Sequence, residues 1–399
     1  MKKIMIFVLL AVMASVMVAP IAGQDAVLTI WVDEARNEPL TALGEQFEAE
    51  QGIALEIVEL PFGEIRDQFT TAAPAGEGPD IIIGAHDWLG ELVTNGLLLP
   101  VDLGDKAELF VPAAVNAFNY EGSVYGMPYA LENVALYYNT DLVPEAPTSW
   151  DEVRAISEEL VANGDSQYGW VIQENDPYHF FGVQTAFGGY VFGFSPETGY
   201  DPSDVGIDNE GSIAAYDFLS SYVADGLMPA GLDADGMRTL FETGEAAMVI
   251  SGPWDLVRFQ DSGIPFAIAP IPGEGDVAQG SPFLGVQGFM VSAFSENSTL
   301  ATLFLTEYIA TDEVMSTLFE ADPRPSAFIS VAEGVDDENL AAFGAAGSTG
   351  LAMPAIPQMS AVWGSWGGAM EQVIQGRADG ETAATDAATQ IREAIASAG

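Results

Sequence analysis

Apolar and polar positions along this chain switch between two periods, and the switches mark its elements. Val27-Leu28-Thr29-Ile30-Trp31-Val32 reads as a strand. Leu40, Leu43 and Phe47 then recur at helical spacing until Gly52 stops the run, and residues 54–59 alternate with a period of two. This β-α-β order predicts parallel strands, extended by a third strand at Ile81-Ile82-Ile83. Near the middle, Asn133-Val134-Ala135-Leu136-Tyr137-Tyr138 predicts another strand. Pro144, Pro147 and the capping box Ser149…Glu152 then open a helix carrying Val153, Ile156 and Leu160 on one face. A second α/β lobe begins here. Helical spacing returns at Ile213, Tyr216 and Leu219 and again at Leu300, Leu303 and Tyr308, while residues 265–270 form a short proline-bounded strand. Proline and glycine cluster at 270–285 and at Pro323-Arg324-Pro325, where the chain is expected to cross between lobes. Residues 331–350 read as a surface helix-loop segment, and the alanine-rich tail 382–398 as a helix. No internal repeat is visible.

The first 23 residues change this picture at one end. Lys2 and Lys3, an apolar run from Ile4 to Val18 and the small residues Ala19, Ala22 and Gly23 have the form of a secretory leader, cleaved near Gly23. An uncleaved anchor is the alternative, but the run is short for a bilayer span. Export usually permits disulfides, yet the chain has no cysteine, so stability must come from buried apolar surface and no lipobox thiol is available for lipid attachment. The expected location is the periplasm or the outer face of the cell membrane. Acidic residues number 59 against 11 basic ones, a formal net charge of −48. Such a surface repels nucleic acid and anionic membranes. It suits brine or acid, and equally an ordinary acidic secreted protein. With 399 residues, the length favours two lobes.

Candidate chemistry lies in the indoles. Trp254 in Gly252-Pro253-Trp254, Trp88 after Asp80-Ile81-Ile82-Ile83-Gly84-Ala85-His86-Asp87, and Trp363 after Met353-Pro354-Ala355-Ile356-Pro357 all fall where a loop enters a helix. Aromatic faces cover the C–H faces of a pyranose, and carboxylates accept from its edge hydroxyls. The pattern therefore points to a carbohydrate cleft, with indoles from opposite halves sandwiching one saccharide. Trp31, Trp150 and Trp170 read as packing residues. Any single carboxylate among the 59 is by default a solvated surface charge. His86 and His179 are the only histidines, so no metal site is expected, and His86 is expected to brace its own loop.

In order and spacing, the chain resembles the maltose/maltodextrin-binding proteins, the extracellular solute-binding receptors of ABC sugar importers. The resemblance rests on Gly78-Pro79-Asp80-Ile81-Ile82 with Ala85-His86-Asp87, on Tyr138-Asn139, and on Asp204-Val205-Gly206-Ile207-Asp208-Asn209. Phe241, Gly244-Glu245, Gly252-Pro253-Trp254 and Ile356-Pro357-Gln358-Met359-Ser360-Ala361 with Trp363 complete it. It implies a periplasmic-binding-protein-like α/β fold, two lobes with a ligand cleft between them and three hinge crossings. The first lobe would hold residues 24–131 and 287–322, the second 136–283 and 327–399, with crossings near 132–135, 284–286 and 323–326. It implies ligand contacts from Asp87, Trp88, Glu132, Glu174, Tyr178, Trp254 and Trp363, with Glu34, Arg36 and Trp366 as weaker candidates. It implies no catalysis, cofactor or metal, and a monomer that hands an oligosaccharide to membrane permease subunits.

The chain departs from the family pattern in several places. Gly84 replaces a tryptophan, Trp88 an arginine, Gly364 a tyrosine and Gly367 an arginine, and the family's Glu-Pro-Tyr is stretched to Glu174-Asn175-Asp176-Pro177-Tyr178. These leave open trehalose or another disaccharide, or a non-sugar solute, as ligand. A secreted glycoside hydrolase is the remaining alternative, needing two carboxylates about 5 to 9 Å apart across one bond.

Overall fold

The computed structural model describes residues 27–398, so the leader expected at 1–23 lies outside the described residues. Val27–Val32, Glu34–Gln51 and Ala54–Glu59 form the predicted β-α-β unit, the two strands running parallel in register from Val27↔Ala54 to Val32↔Glu59. Ile81–Ala85 joins on the other side of the first strand, and its isoleucines are buried, as expected for a parallel strand covered on both faces. Phe283–Ser292 then runs antiparallel to Ile81–Ala85 and also pairs with Met127–Glu132. These strands, with the short Leu98–Leu99 and Leu351–Ala352 along Phe283–Ser292, make the first sheet.

The second sheet has the order Phe266–Ala269, Ala135–Asn139, Ala246–Ser251, Tyr168–Val171. The strand expected from Asn133 begins at Ala135, because the Asn133 side chain turns inward and donates to the Val134 and Phe343 carbonyls. The helix Trp150–Asn163 starts where the capping box places it. Glu152 N donates to Ser149 Oγ at 3.2 Å, and the Glu152 carboxylate accepts from Thr148 N at 2.7 Å. The resulting architecture is the periplasmic-binding-protein-like fold.

The chain leaves the first sheet at Glu132 and reaches the second at Ala135. The long strand Phe283–Ser292 starts beside Phe181 of the helix Pro177–Ala186, with rings stacked at 3.6 Å, and ends in the first sheet. The passage expected at 323–326 falls elsewhere. Pro323 and Pro325 hold the backbone extended, and it lies along Met127–Glu132. Leu131 N donates to the Pro325 carbonyl at 2.7 Å, and Ala327 N to that of Tyr129 at 2.9 Å. Phe328 meets Phe110 edge to face at 5.1 Å, so residues 327–334 stay with the first sheet. The chain crosses only before Glu338–Ala346, which packs on Phe266–Ala269. One periodicity was also misleading. Ser298–Leu303 continues as a wider π turn at Phe304–Ile309, which buries Phe304, Leu305 and Ile309 and leaves Leu303 51 % exposed.

Candidate functional site

Asp87 and Trp88 sit in a 3₁₀ turn, His86–Trp88, at the end of the buried strand Ile81–Ala85. Asp87 is buried and accepts a hydrogen bond from Trp363 Nε1 at 3.2 Å. Trp363 opens the helix Trp363–Ile374, which packs with the second sheet's helices. A first-half carboxylate therefore meets a second-half indole. Burial pushes the Asp87 carboxyl up to about 6, opposed by the Arg66 charge and the Trp363 bond. Next to this contact the halves touch through backbone. A Cβ at Gly90 would lie 2.3 Å from the carbonyl carbon of Ile356, so only glycine fits.

Trp254 occupies the equivalent turn of the second half, Pro253–Asp255, after Ala246–Ser251. Its six-membered ring folds back so closely that a Cβ at Gly252 would lie 2.2 Å from it. Tyr137 Oη donates to the Gly252 carbonyl at 2.9 Å, while buried Asp255 accepts from Ser251 Oγ and from Arg238 Nε at 2.7 Å. The indole is thus held from both sides. It lies 6.1 Å from Tyr178 and 5.6 Å from His179, ring centre to ring centre. Tyr178 continues to Phe283 at 6.3 Å, and Phe283 to Trp363 at 6.1 Å. Trp254, Tyr178, Phe283 and Trp363 make one aromatic ridge. Both indoles belong to the second half, so the expected sandwich of tryptophans from opposite halves is not what forms. Phe283 is buried and stacked on Phe181, so it is the core link that joins Tyr178 to Trp363 rather than an open face, and nothing in Ser281-Pro282-Phe283 announces that position.

Trp88 is no ring platform. It is 5 % exposed, tilts against Phe62 at 5.1 Å, and lies where a Cβ on Gly84 would come within 1.9 Å of Cζ3. The missing side chain at Gly84 makes the seat for the unexpected indole. Glu132 is buried at the first crossing and bonded by Arg324, by Gln287 Nε2 at 3.0 Å and by Arg36 at 3.5 Å. Arg36 is buried with Asp33 and Tyr129 and works through Glu132, whereas Glu34 is exposed in the first helical turn. Trp366 is fully buried against Phe181 and Phe283, a packing residue.

Glu174 points elsewhere. Its oxygens accept from Gly231 N at 2.7 Å and from the Gln375 amide. The stretched segment explains this, because Asn175 adopts φ +61° and Asp176 caps the helix Pro177–Ala186 through Tyr178 N and His179 N. A Cβ at Gly367 would lie 2.2 Å from Asn175 Oδ1. The inserted asparagine and the small residue at 367 are thus one coupled departure. His86 braces a neighbouring strand rather than its own loop. Its Nδ1 accepts from Val286 N at 3.1 Å, and burial lowers its pKa to about 4.

Tyr178 lies between these groups. Burial, with the carboxylates of Glu132, Asp176 and Asp87, holds its phenol well above the ordinary value, so it stays a donor. A ridge of aromatic faces, one neutral phenol and a carboxylate from the facing half can engage an uncharged, hydroxyl-rich ring.

The bacterial extracellular solute-binding protein family matches residues 42–345, and the chain belongs to it. It is 30 % identical to a galactooligosaccharide-binding protein of Bacillus subtilis over 94 % of this chain and 90 % of that one. It is 28 % identical to a maltodextrin-binding protein of the same organism, over 92 % of this chain and 90 % of the other. With a maltotriose-binding protein of Pyrococcus abyssi it shares 30 % identity over 87 % of this chain and 77 % of that one. Among the described residues, no helix is long and apolar enough to cross a membrane.

Proposed function

We propose that this protein is the extracytoplasmic substrate-binding receptor of an ABC-type carbohydrate importer. It binds a maltodextrin-like, α-linked gluco-oligosaccharide as a monomer, closes on it and presents it to the membrane permease without chemical change. The observation that carries this reading is the hydrogen bond from Trp363 to Asp87, which sets an aromatic ridge of one half against a carboxylate of the other. A neutral sugar uses both kinds of surface, hydroxyl edge on carboxylate and C–H face on indole. Ligand-driven closure then needs only that the sugar contact both halves at once. The names of the relatives favour an oligosaccharide over a peptide or polyamine.

The galactooligosaccharide-binding relative makes a β-galactoside the competing ligand. Calorimetric titration with maltotriose, maltose, trehalose and β-1,4-galactotriose separates the two. Tight, reversible binding of maltotriose, recovered intact, is the expected result. Binding of none of these sugars refutes the receptor reading, and release of glucose would make the protein a hydrolase. Trp254→Ala and Trp363→Ala should each weaken binding by roughly tenfold or more, from lost stacking and area, while the unfolding transition stays cooperative.

A further inference from the structure

Arg324 and Gln287 meet at the buried carboxylate of Glu132, Tyr178 approaches the same strand end from the second half, and each brings a polar atom that the fold leaves unused. Arg324 is 3 % exposed. Its Nε bonds Asp322 and its Nη1 bonds Glu132, but its Nη2 is buried without a hydrogen-bond partner among the described residues. Gln287 is 5 % exposed. Its Nε2 donates to Glu132 at 3.0 Å, while its Oε1 is buried and equally without a partner. The Tyr178 hydroxyl, reaching in from the second half, is the third such atom. A buried donor or acceptor left unpaired costs about 1 to 3 kcal/mol, so the co-location of several asks for an occupant.

The backbone indicates where that occupant lies. Side chains two apart on a strand share a face, so Gln287 projects from the same side of Phe283–Ser292 as position 285. A Cβ at Gly285 would lie 3.2 Å from the Tyr178 hydroxyl and 3.6 Å from the Glu132 carbonyl. Gln287 thus faces the gap between the halves, at the level of the first crossing. The Arg324 charge also reaches the Tyr178 phenol from across that gap, opposing the effect of Glu132. Donor and acceptor belong to one floor.

We infer that Arg324 Nη2 and Gln287 Oε1 form a ligand-binding pair at the hinge floor of the cleft, which takes a vicinal pair of hydroxyls from the bound sugar. Each sugar hydroxyl both donates and accepts, so a guanidinium donor beside an amide acceptor is complementary to such a pair. The charges argue against an anionic ligand. Arg324 is already neutralised by Glu132 and Asp322, and Arg36 by Asp33 and Glu132. Orienting both residues through a single carboxylate also makes the pair rigid, which favours discrimination between hydroxyl configurations. This inference rests on the sugar-receptor reading above and adds residues that the sequence did not single out.

The test uses the full mature chain, titrated calorimetrically with maltotriose and β-1,4-galactotriose. Arg324→Lys keeps a cation beside Glu132 and Asp322 but withdraws Nη2; Gln287→Met keeps the length and removes the acceptor. Each variant should unfold cooperatively and bind the better trisaccharide roughly tenfold or more weakly than the wild type. In a crystal of the wild-type complex, sugar oxygens should lie within hydrogen-bond distance of both atoms, a readout that does not depend on either variant folding. Unchanged affinity in the folded variants, or a complex in which these atoms meet no sugar oxygen, overturns the inference while leaving the receptor reading intact. Failure of the wild type to bind either trisaccharide overturns both.

Discussion

At the scale of single residues, a sugar held by Asp87 as proposed is expected to couple binding to a proton. Burial holds its carboxyl near 6 in the folded chain against an ordinary 3.8, so it favours the folded state at low pH and loses that contribution as pH rises through about 6. A sugar hydroxyl donating to Asp87 stabilises the ionised form. Affinity should therefore rise as pH increases across this window, and binding at pH 6 should release a proton. Titration at that pH in two buffers of different ionisation enthalpy measures the release directly, and Asp87→Asn should abolish it. Equal apparent enthalpies for the wild type in both buffers would remove Asp87 from the ligand. The segments that carry Asp87, Trp254 and Trp363 were legible because their spacing is fixed, whereas Tyr178 closes the stretched segment that begins at Glu174. Glu174 was misread because the insertion of Asn175 at positive φ turns it toward Gly231, a backbone event that residue identity does not announce. Phe283, Gln287 and Arg324 become visible only when distant segments are brought together.

At the scale of elements, one unit is used twice. Strand Ile81–Ala85, turn His86–Trp88 and helix Leu89–Thr94 in the first half match strand Ala246–Ser251, turn Pro253–Asp255 and helix Leu256–Ser262 in the second. In both, a tryptophan folds back over a glycine, Trp88 over Gly84 and Trp254 over Gly252. The sequence shows no repeat, since the two copies share a backbone path and a close approach rather than residues in register. The outcome differs. Trp254 keeps a partly exposed face on the ridge, while Trp88 sinks against Phe62. Gly84→Ala should force the Trp88 ring from its seat and cost about 1 to 3 kcal/mol by overpacking. Denaturant unfolding checks this, and Trp88→Leu in the same chain should recover much of the loss. If Gly84→Ala alone is neutral, the ring does not occupy that seat. Helices with caps and strands with alternation were read correctly, because their determinants are local. The third crossing was misplaced because Pro323 and Pro325 mark an extended segment without saying which sheet it lies along.

For the whole molecule, charge sets a global tension that packing must hold. All nine basic residues among the described residues, Lys106 and eight arginines, lie within 4.0 Å of a carboxylate. Among the described residues no cation is left without a carboxylate partner, and most of the acids have no cation of their own. Screening shortens their reach, because the Debye length falls from about 8 Å at 0.15 M to about 3 Å at 1 M. The short, buried pairs around Glu132 are shielded from this effect, whereas repulsion across the surface is not. Unfolding spreads the charges apart and relieves that repulsion, so added salt should stabilise the folded state selectively. The midpoint of thermal unfolding should climb steadily between 0.05 and 1 M sodium chloride, and potassium chloride should act alike, since the effect depends on ionic strength rather than on a bound ion. A midpoint that stays flat or falls with either salt would mean that the acidic surface exerts no net strain on the fold.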